Sequence, residues 1–267
     1  MSRINQSHPY RTLMPGLEAM YLASDISFPR HAHEQFGIGV IARGGHRSWS
    51  GKGLIEAGPG NAIMVNPGEI HDGSPIGKQL RTWRMLYFTP SLLEHYLPHD
   101  ISGDIELTRP AVYDPILSRL FSQFFVSVTD TLAEPLMVEE HGLLLLNHVL
   151  NAHSTQHTKT EHTTPDIDKV RQRLDDAPEQ LTSLAELAET IGISRFQLLR
   201  AFTRELGITP HAYLIQRRVQ LARQLLLSGK SLSEAALDAG FADQSHMTRA
   251  FTRQIGIPPG RFKMSQT

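Results

Sequence analysis

Apolar residues recur along the chain with two different spacings, and the change of spacing divides it. Between residues 17 and 88 they come in short runs, LEAMYL, FGIGVI, AIMVN and WRMLYF, separated by RGG, SGKG, AGPG and NPGE. Strand-forming runs of this length, punctuated by glycine and proline, predict a small β-barrel or sandwich. Beyond it, DPILSRLFSQFFVSV and PLMVEEHGLLLLNHVLN have the pattern of amphipathic helices. From Ser183 the helical period is explicit: Leu184, Leu187, Ala188 and Ile191 stand at i, i+3, i+4 and i+7, and Leu232, Ala235, Ala236 and Ala239 repeat the same offsets.

Both of these C-terminal stripes open on a capping box, Ser183 with Glu186 and Ser231 with Glu234, and both end at a glycine, Gly192 or Gly240. A second helix then starts at an N-cap, Ser194 or Asp243, with Leu198, Ala201 and Phe202, or Met247, Ala250 and Phe251, as its buried face. The second helices contain nearly the same phrase, RAFTRELGITP at 200–210 and RAFTRQIGIPP at 249–259. Capped helix, glycine turn and capped helix, used twice, is the outline of two helix-turn-helix units. Between them HAYLIQRRVQLARQLLLSGK, with Ile215, Val219, Ala222 and Leu226 on one stripe, predicts a connecting helix. Some 17 residues give roughly 25 Å of strut, a length that suits two recognition helices about one DNA turn apart.

The faces left over by the buried stripes carry Arg195, Phe196, Leu199 and Arg200 in the first unit and Gln244, Ser245, Thr248 and Arg249 in the second. These are expected to meet DNA, Arg and Gln being the types that pair with guanine and adenine edges. Phe196 and Leu199 are expected to read thymine methyls or to leave that unit to backbone contacts.

Composition narrows the classes. The 267 residues suit two domains, and 40% apolar content supplies two cores. The absence of cysteine excludes disulfides, thiolate zinc sites, iron-sulfur clusters and a cysteine nucleophile. No apolar run is long enough to span a bilayer, so no membrane partner and a cytoplasmic location are expected. The net charge of −1 hides an asymmetry: from Ser183 onward eleven basic residues face six acidic ones, +5, leaving −6 on the other 182. The segment NAHSTQHTKTEHTTP, residues 151–165, lacks apolar periodicity and is read as an exposed connection.

The stretch GFADQSHMTRAFTRQIGIPPGRFK resembles the C-terminal signature of the AraC/XylS family of bacterial transcription regulators, through Gly240, Phe241, Ser245, His246, Met247, Arg249, Phe251, Gly256, Pro259 and Phe262, with Lys263 where the family often has arginine. The resemblance covers roughly residues 166–263. It implies a seven-helix DNA-binding domain with recognition helices near 195–204 and 244–253. HAHEQFGIGVIARG and GPGNAIMVNPGEIHDG further resemble the two half-motifs of the cupin barrel that commonly binds the effector in this family. The implied organisation is a cupin-like effector-binding and dimerisation domain at 1–152, a linker at 153–165, and the double helix-turn-helix domain at 166–267. The helices after the barrel are the usual dimerisation elements of such regulators, so a homodimer is implied.

The first half-motif supplies His31 and His33 and the second His71, which the barrel is expected to gather facing inward. His46, Trp49, Trp83 and Arg84 are expected to complete an effector pocket. Three imidazoles suit a first-row metal ion, and His31, His33 and His71 are the candidate ligands. Metal-binding cupins also place a glutamate four to six residues after the second histidine; here the only one nearby is the adjacent Glu34. No cofactor is therefore favoured. The expected function is a sequence-specific transcription regulator, not an enzyme, acting on double-stranded promoter DNA under control of a small molecule, with RNA polymerase as partner if it activates. The alternative is a metal-dependent cupin enzyme with an appended DNA-binding domain.

Overall fold

The computed structural model describes residues 3–50, 52–96, 105–155 and 166–264. Part of the expected linker, 156–165, lies outside the described residues. Contacts divide the chain into one unit of Met1–Ala133 with His141–Glu161, and a second of Glu134–Glu140 with His162–Thr267.

In the first unit, β1 (Asn5–Tyr10), β2 (Leu17–Ser24), β4 (Phe36–Arg43), β7 (Asn61–Val65), β9 (Arg81–Phe88) and β10 (Ala111–Tyr113) form a six-stranded sheet in the order β1-β2-β9-β4-β7-β10. A four-stranded sheet takes β3 (Phe28–His31), β5 (His46–Ser50), β6 (Gly53–Ala57) and β8 (His71–Pro75) in the order β3-β8-β5-β6. Every pairing is antiparallel. The four apolar runs of the sequence are β2, β4, β7 and β9, the inner strands of the larger sheet. Strands of the smaller sheet are short and partly polar, and β1 is exposed throughout, so they gave no apolar run. Ile41, Ala57, Ile63, Trp83 and Met85 form a buried cluster drawn from both sheets.

The fully buried guanidinium of Arg81, at the start of β9, links the sheets. Its Nη2 donates to the carbonyl of Ile26, 3.2 Å, and to that of Gly73 in β8, 3.1 Å. Its cationic carbon lies 5.5 Å from the Phe28 ring and 5.0 Å from Trp83.

A short helix, α1 (Pro90–Tyr96), precedes β10, and α2 (Pro115–Thr129) follows it. Asp114 caps α2 and Pro115 occupies its first turn, while Leu117, Phe121, Phe124, Phe125 and Val128 are buried. The next helix, α3 (Pro135–His153), extends through His153, where the linker was expected to begin, because that side chain is buried rather than solvated.

Seven helices follow among the described residues: α4 (Ile167–Asp176), α5 (Leu184–Glu189), α6 (Arg195–Leu206), α7 (Pro210–Leu227), α8 (Leu232–Asp238), α9 (Gln244–Ile255) and α10 (Pro259–Met264). Both expected capping boxes are formed, and Ser194 makes a third with Gln197. Asp243 caps α9 by accepting from the His246 amide. The repeated phrase stops each second helix at a left-handed glycine, Gly207 or Gly256. One core packs Ile215, Val219, Ala222 and Leu226 of α7 against Ala235, Ala236, Met247, Ala250, Phe251 and Phe262.

The two turn glycines differ in what surrounds them. Gly192 has φ +66° and open space where a Cβ would go. Gly240 has φ +83°, and a Cβ there would lie 2.6 Å from the carbonyl oxygen of Glu179. Gly192→Ala is expected to cost about 1 kcal/mol from its backbone conformation alone. Gly240→Ala adds a backbone clash and is expected to cost about 3 kcal/mol or more. Urea unfolding of both variants checks this; equal losses would show that the close approach to Glu179 is relieved without cost.

Candidate effector pocket and nucleic-acid interface

The barrel holds a half-open cavity of about 170 Å³ between its two sheets. Strand alternation decides which side chains reach it. In β5, His46, Ser48 and Ser50 point inward and are buried; in β9, Trp83, Met85 and Tyr87 line the wall. Phe28, Ile55, Ile63 and Met64 make the remainder mostly apolar.

His31 and His71 are paired residues of β3 and β8, which explains how distant half-motifs meet. Their ring centroids are 4.4 Å apart, and His33 lies 5.1 Å from His71 and 6.3 Å from His31. Each ring is held by a carbonyl two residues away: His31 Nδ1 by Pro29 at 2.8 Å, His33 Nδ1 by Gln35 at 3.0 Å, His71 Nδ1 by Glu69 at 2.9 Å. In the neutral rings Nδ1–H donates to these carbonyls, which leaves three Nε2 lone pairs as acceptors.

Such tautomers are also the ones metal ligands adopt. The three rings are unevenly spaced, His31 and His33 being the farthest apart, and Asp72 is the carboxylate that shares the lining with them. Glu34 is exposed, and His31 sits on the exposed rim. Burial lowers the proton affinity of His33 and His71, and the neighbouring imidazoles lower it further.

Of the expected pocket residues, His31, His33, His46, His71 and Trp83 line the cavity. Trp49 and Arg84 do not, since each stands one residue out of phase with the inward positions. Trp49 lies under the Arg30 guanidinium, 4.1 Å from its ring centre, and its amide donates to Asp72. Arg84 points to α2, donating to Ser122 Oγ at 3.3 Å and lying 5.2 Å from the Phe125 ring. Ser48, Ser50, Met85, Tyr87 and Asp72 were missed; the inward phase of β5 and β9 was the signal available for the first four.

The helix-turn-helix faces also need one correction. Phe196 and Leu199 are each only 6% exposed and belong to the core. Helix α6 packs against α4, α5 and α7, and its apolar stripe is correspondingly broad: Phe196, Leu198, Leu199, Ala201 and Phe202. Arg200 is exposed and Arg195 half-buried in the first turn. On α9, Gln244, Ser245 and Arg249 are exposed, and half-buried Thr248 gives its hydroxyl to the Gln244 carbonyl. Arg204 and Arg253, each four residues beyond Arg200 or Arg249, are exposed too. Both copies of RAFTR therefore present an i, i+4 arginine pair, a spacing legible in the sequence but not used.

His46 carries the largest shift in the cavity. Burial, then the charges of Arg81 and His71, push its imidazole down to about 4, with Asp72 opposing. The unfolded chain protonates this ring near 6.5 and the folded one only near 4, so stability is expected to fall as pH drops through that window. The loss is on the order of 3 kcal/mol at most. Urea unfolding across the window checks this, with a shallower pH slope expected in His46→Gln; parallel slopes would remove His46 as the cause.

A family model described as an AraC-like ligand binding domain matches residues 16–146, and one described as a helix-turn-helix domain matches residues 187–265. The uncharacterized HTH-type transcriptional regulator YbfI of Bacillus subtilis is 28% identical over 225 residues, covering 82% of this chain and 81% of that one. The HTH-type transcriptional regulator MtrA of Neisseria gonorrhoeae is 33% identical over 93 residues, 34% of this chain and 31% of that one. A crystal structure of an AraC-type transcriptional regulator from Chromobacterium violaceum is 27% identical, covers 38% of this chain and 91% of that one, and has a TM-score of 0.36. With a sheet-built ligand-binding domain followed by two capped helix-turn-helix units, the chain belongs to the AraC family of transcription regulators.

Proposed function

We propose that the barrel cavity binds a compact small molecule and that its occupancy controls the grip of α6 and α9 on promoter DNA. The observation that carries this is the half-open cavity itself, mostly apolar but bearing convergent imidazoles, two serines and Asp72, in the same chain as the two helix-turn-helix units. A largely apolar molecule with hydroxyl or amine donors matches that lining. Control requires that the effector bind the DNA-competent and incompetent states with different affinity. The barrel acts as a binding module and not as a catalyst, a reading supported by its mostly apolar lining in the same chain as the helix-turn-helix units.

The DNA face is assigned to Arg195, Arg200 and Arg204 on α6, and to Gln244, Ser245, Thr248, Arg249 and Arg253 on α9. The working form is a homodimer built on α2 and α3, with exposed Ile116 and Val126 on α2 in support. RNA polymerase is the further partner if the regulator activates. No helix among the described residues is long and apolar enough to cross a membrane, in keeping with action on cytoplasmic DNA.

Two experiments test these assignments. Arg249→Ala is expected to weaken binding to a cognate promoter by about 1–3 kcal/mol with less effect on random duplex. Phe196→Ala, by contrast, is expected to lower folding stability by about 3–5 kcal/mol. Fluorescence anisotropy and thermal unfolding of both variants check this; equal weakening on cognate and random duplex would make Arg249 a phosphate contact. For the cavity, Ile55→Trp fills the space while leaving the helices untouched. A small molecule that raises the melting temperature and shifts promoter affinity in the parent is expected to do neither in Ile55→Trp, and an unchanged response would move the effector site elsewhere.

A further inference from the structure

Away from the barrel cavity, Asp114, His148 and His153 form a second constellation. Asp114 stands between β10 and α2, and the two histidines lie five residues apart near the end of α3. The carboxylate is divided in its contacts. Its Oδ1 accepts the amides of Ile116 at 2.9 Å and Leu117 at 3.0 Å, which fixes its orientation as the cap of α2. Its Oδ2 faces both imidazoles, with His148 Nε2 at 2.7 Å and His153 Nε2 at 2.8 Å. One oxygen and two nitrogens thus lie within 4.8 Å of one another.

The position and chemistry of the trio suit it to a cation. The two α2 amides on Oδ1 fix the Asp114 carboxyl and leave Oδ2 turned to both imidazoles. The His153 side chain is 4% exposed, so its Nε2 faces Asp114 away from solvent. His148 is more exposed, at 22%, and leaves a path for an ion and its water. Two imidazoles with a carboxylate are the donor set of zinc and other late first-row divalent ions, whereas magnesium and calcium prefer oxygen.

We propose that Asp114, His148 and His153 bind one divalent transition ion, zinc foremost, as a structural staple between the start of α2 and the end of α3. Bonds of about 2.0–2.1 Å in tetrahedral geometry require the three donors to part by roughly 0.5 Å from hydrogen-bonding distance. The partly exposed His148 ring supplies that movement. The stapled region also reaches the barrel: Thr108 donates its amide to the His153 carbonyl at 2.9 Å, Leu107 pairs with Ser154, and Pro110 lines the cavity. An ion at this point stiffens one wall of the cavity from outside it.

The test uses the full chain stripped with chelator, titrated with zinc by calorimetry and with cobalt by visible absorption. His148→Ala leaves the capping oxygen of Asp114 in place, and Asp114→Asn keeps a capping side chain while removing the charge. One equivalent is expected to bind the parent, with affinity falling at least about tenfold in either variant. The double variant His31→Ala/His71→Ala is expected to bind as the parent does, and zinc is expected to raise the melting temperature of both. Absence of stoichiometric binding to the parent would overturn the proposal, leaving a hydrogen-bonded His-Asp-His clasp. Binding that survives His148→Ala and disappears with the barrel histidines would overturn it as well, placing the ion in the cavity.

Discussion

Each half of the chain is tied together by one arginine without solvent contact. Arg81 gives its Nη2 to the carbonyls of Ile26 and Gly73 and so joins the two sheets around the cavity. Arg218 of α7 gives its donors to the carbonyls of Pro178, at 2.7 Å, and Gln180, at 3.3 Å, fastening the segment after α4 to the connecting helix. A guanidinium removed from water is costly unless its hydrogen bonds are met; backbone carbonyls take Arg218 Nε and Nη2 but only Nη2 of Arg81, whose buried Nε and Nη1 have no hydrogen-bond partner among the described residues. The surroundings differ. Arg218 has the Glu134 carboxylate beside it within the same unit, while Arg81 is flanked by aromatic rings and is pulled down to about 10 by burial. At neutral pH Arg81 remains a cation against the barrel wall, and His46 is held neutral by its own burial first and by the Arg81 charge second.

That neutral, crowded wall gives the cavity its chemical character. Four imidazoles line it, and three are fixed by backbone carbonyls as acceptors toward the interior. A bound molecule meets acceptors and hydroxyls set in an apolar frame. Such a lining selects for donors and shape rather than for charge alone. The tight carboxylate-imidazole trio lies elsewhere, at the junction of β10, α2 and α3, where it bears on rigidity and not on the effector directly.

The two helix-turn-helix units share a scaffold but not a surface. The second copy exposes Ser245 and half-exposes Thr248, while the corresponding Phe196 and Leu199 of the first are buried. The i, i+4 arginine pairs are common to both. Polar side chains able to read base edges are thus concentrated on α9, and α6 offers mainly charge, a division suited to one unit that specifies sequence and one that adds affinity.

The sequence by itself determined the features whose causes lie within a few residues. Ser183, Ser194, Ser231 and Asp243 cap the helices they precede, and Gly192 and Gly240 turn the chain between them, because these are local hydrogen-bond and dihedral requirements. The apolar runs marked β2, β4, β7 and β9 for the same kind of reason. Only the tertiary structure decided which face of each element is covered. Trp49 and Arg84 lost their place in the cavity to the phase of their strands, and Phe196 and Leu199 lost theirs at the surface to the three helices packed around α6. Arg81 gave no local signal at all, since its partners lie 55 and 8 residues away. Asp114, His148 and His153 were likewise unremarkable in sequence, being separated by 34 and 39 residues. Contacts of that range depend on how whole elements pack, and no pattern within a single element encodes them.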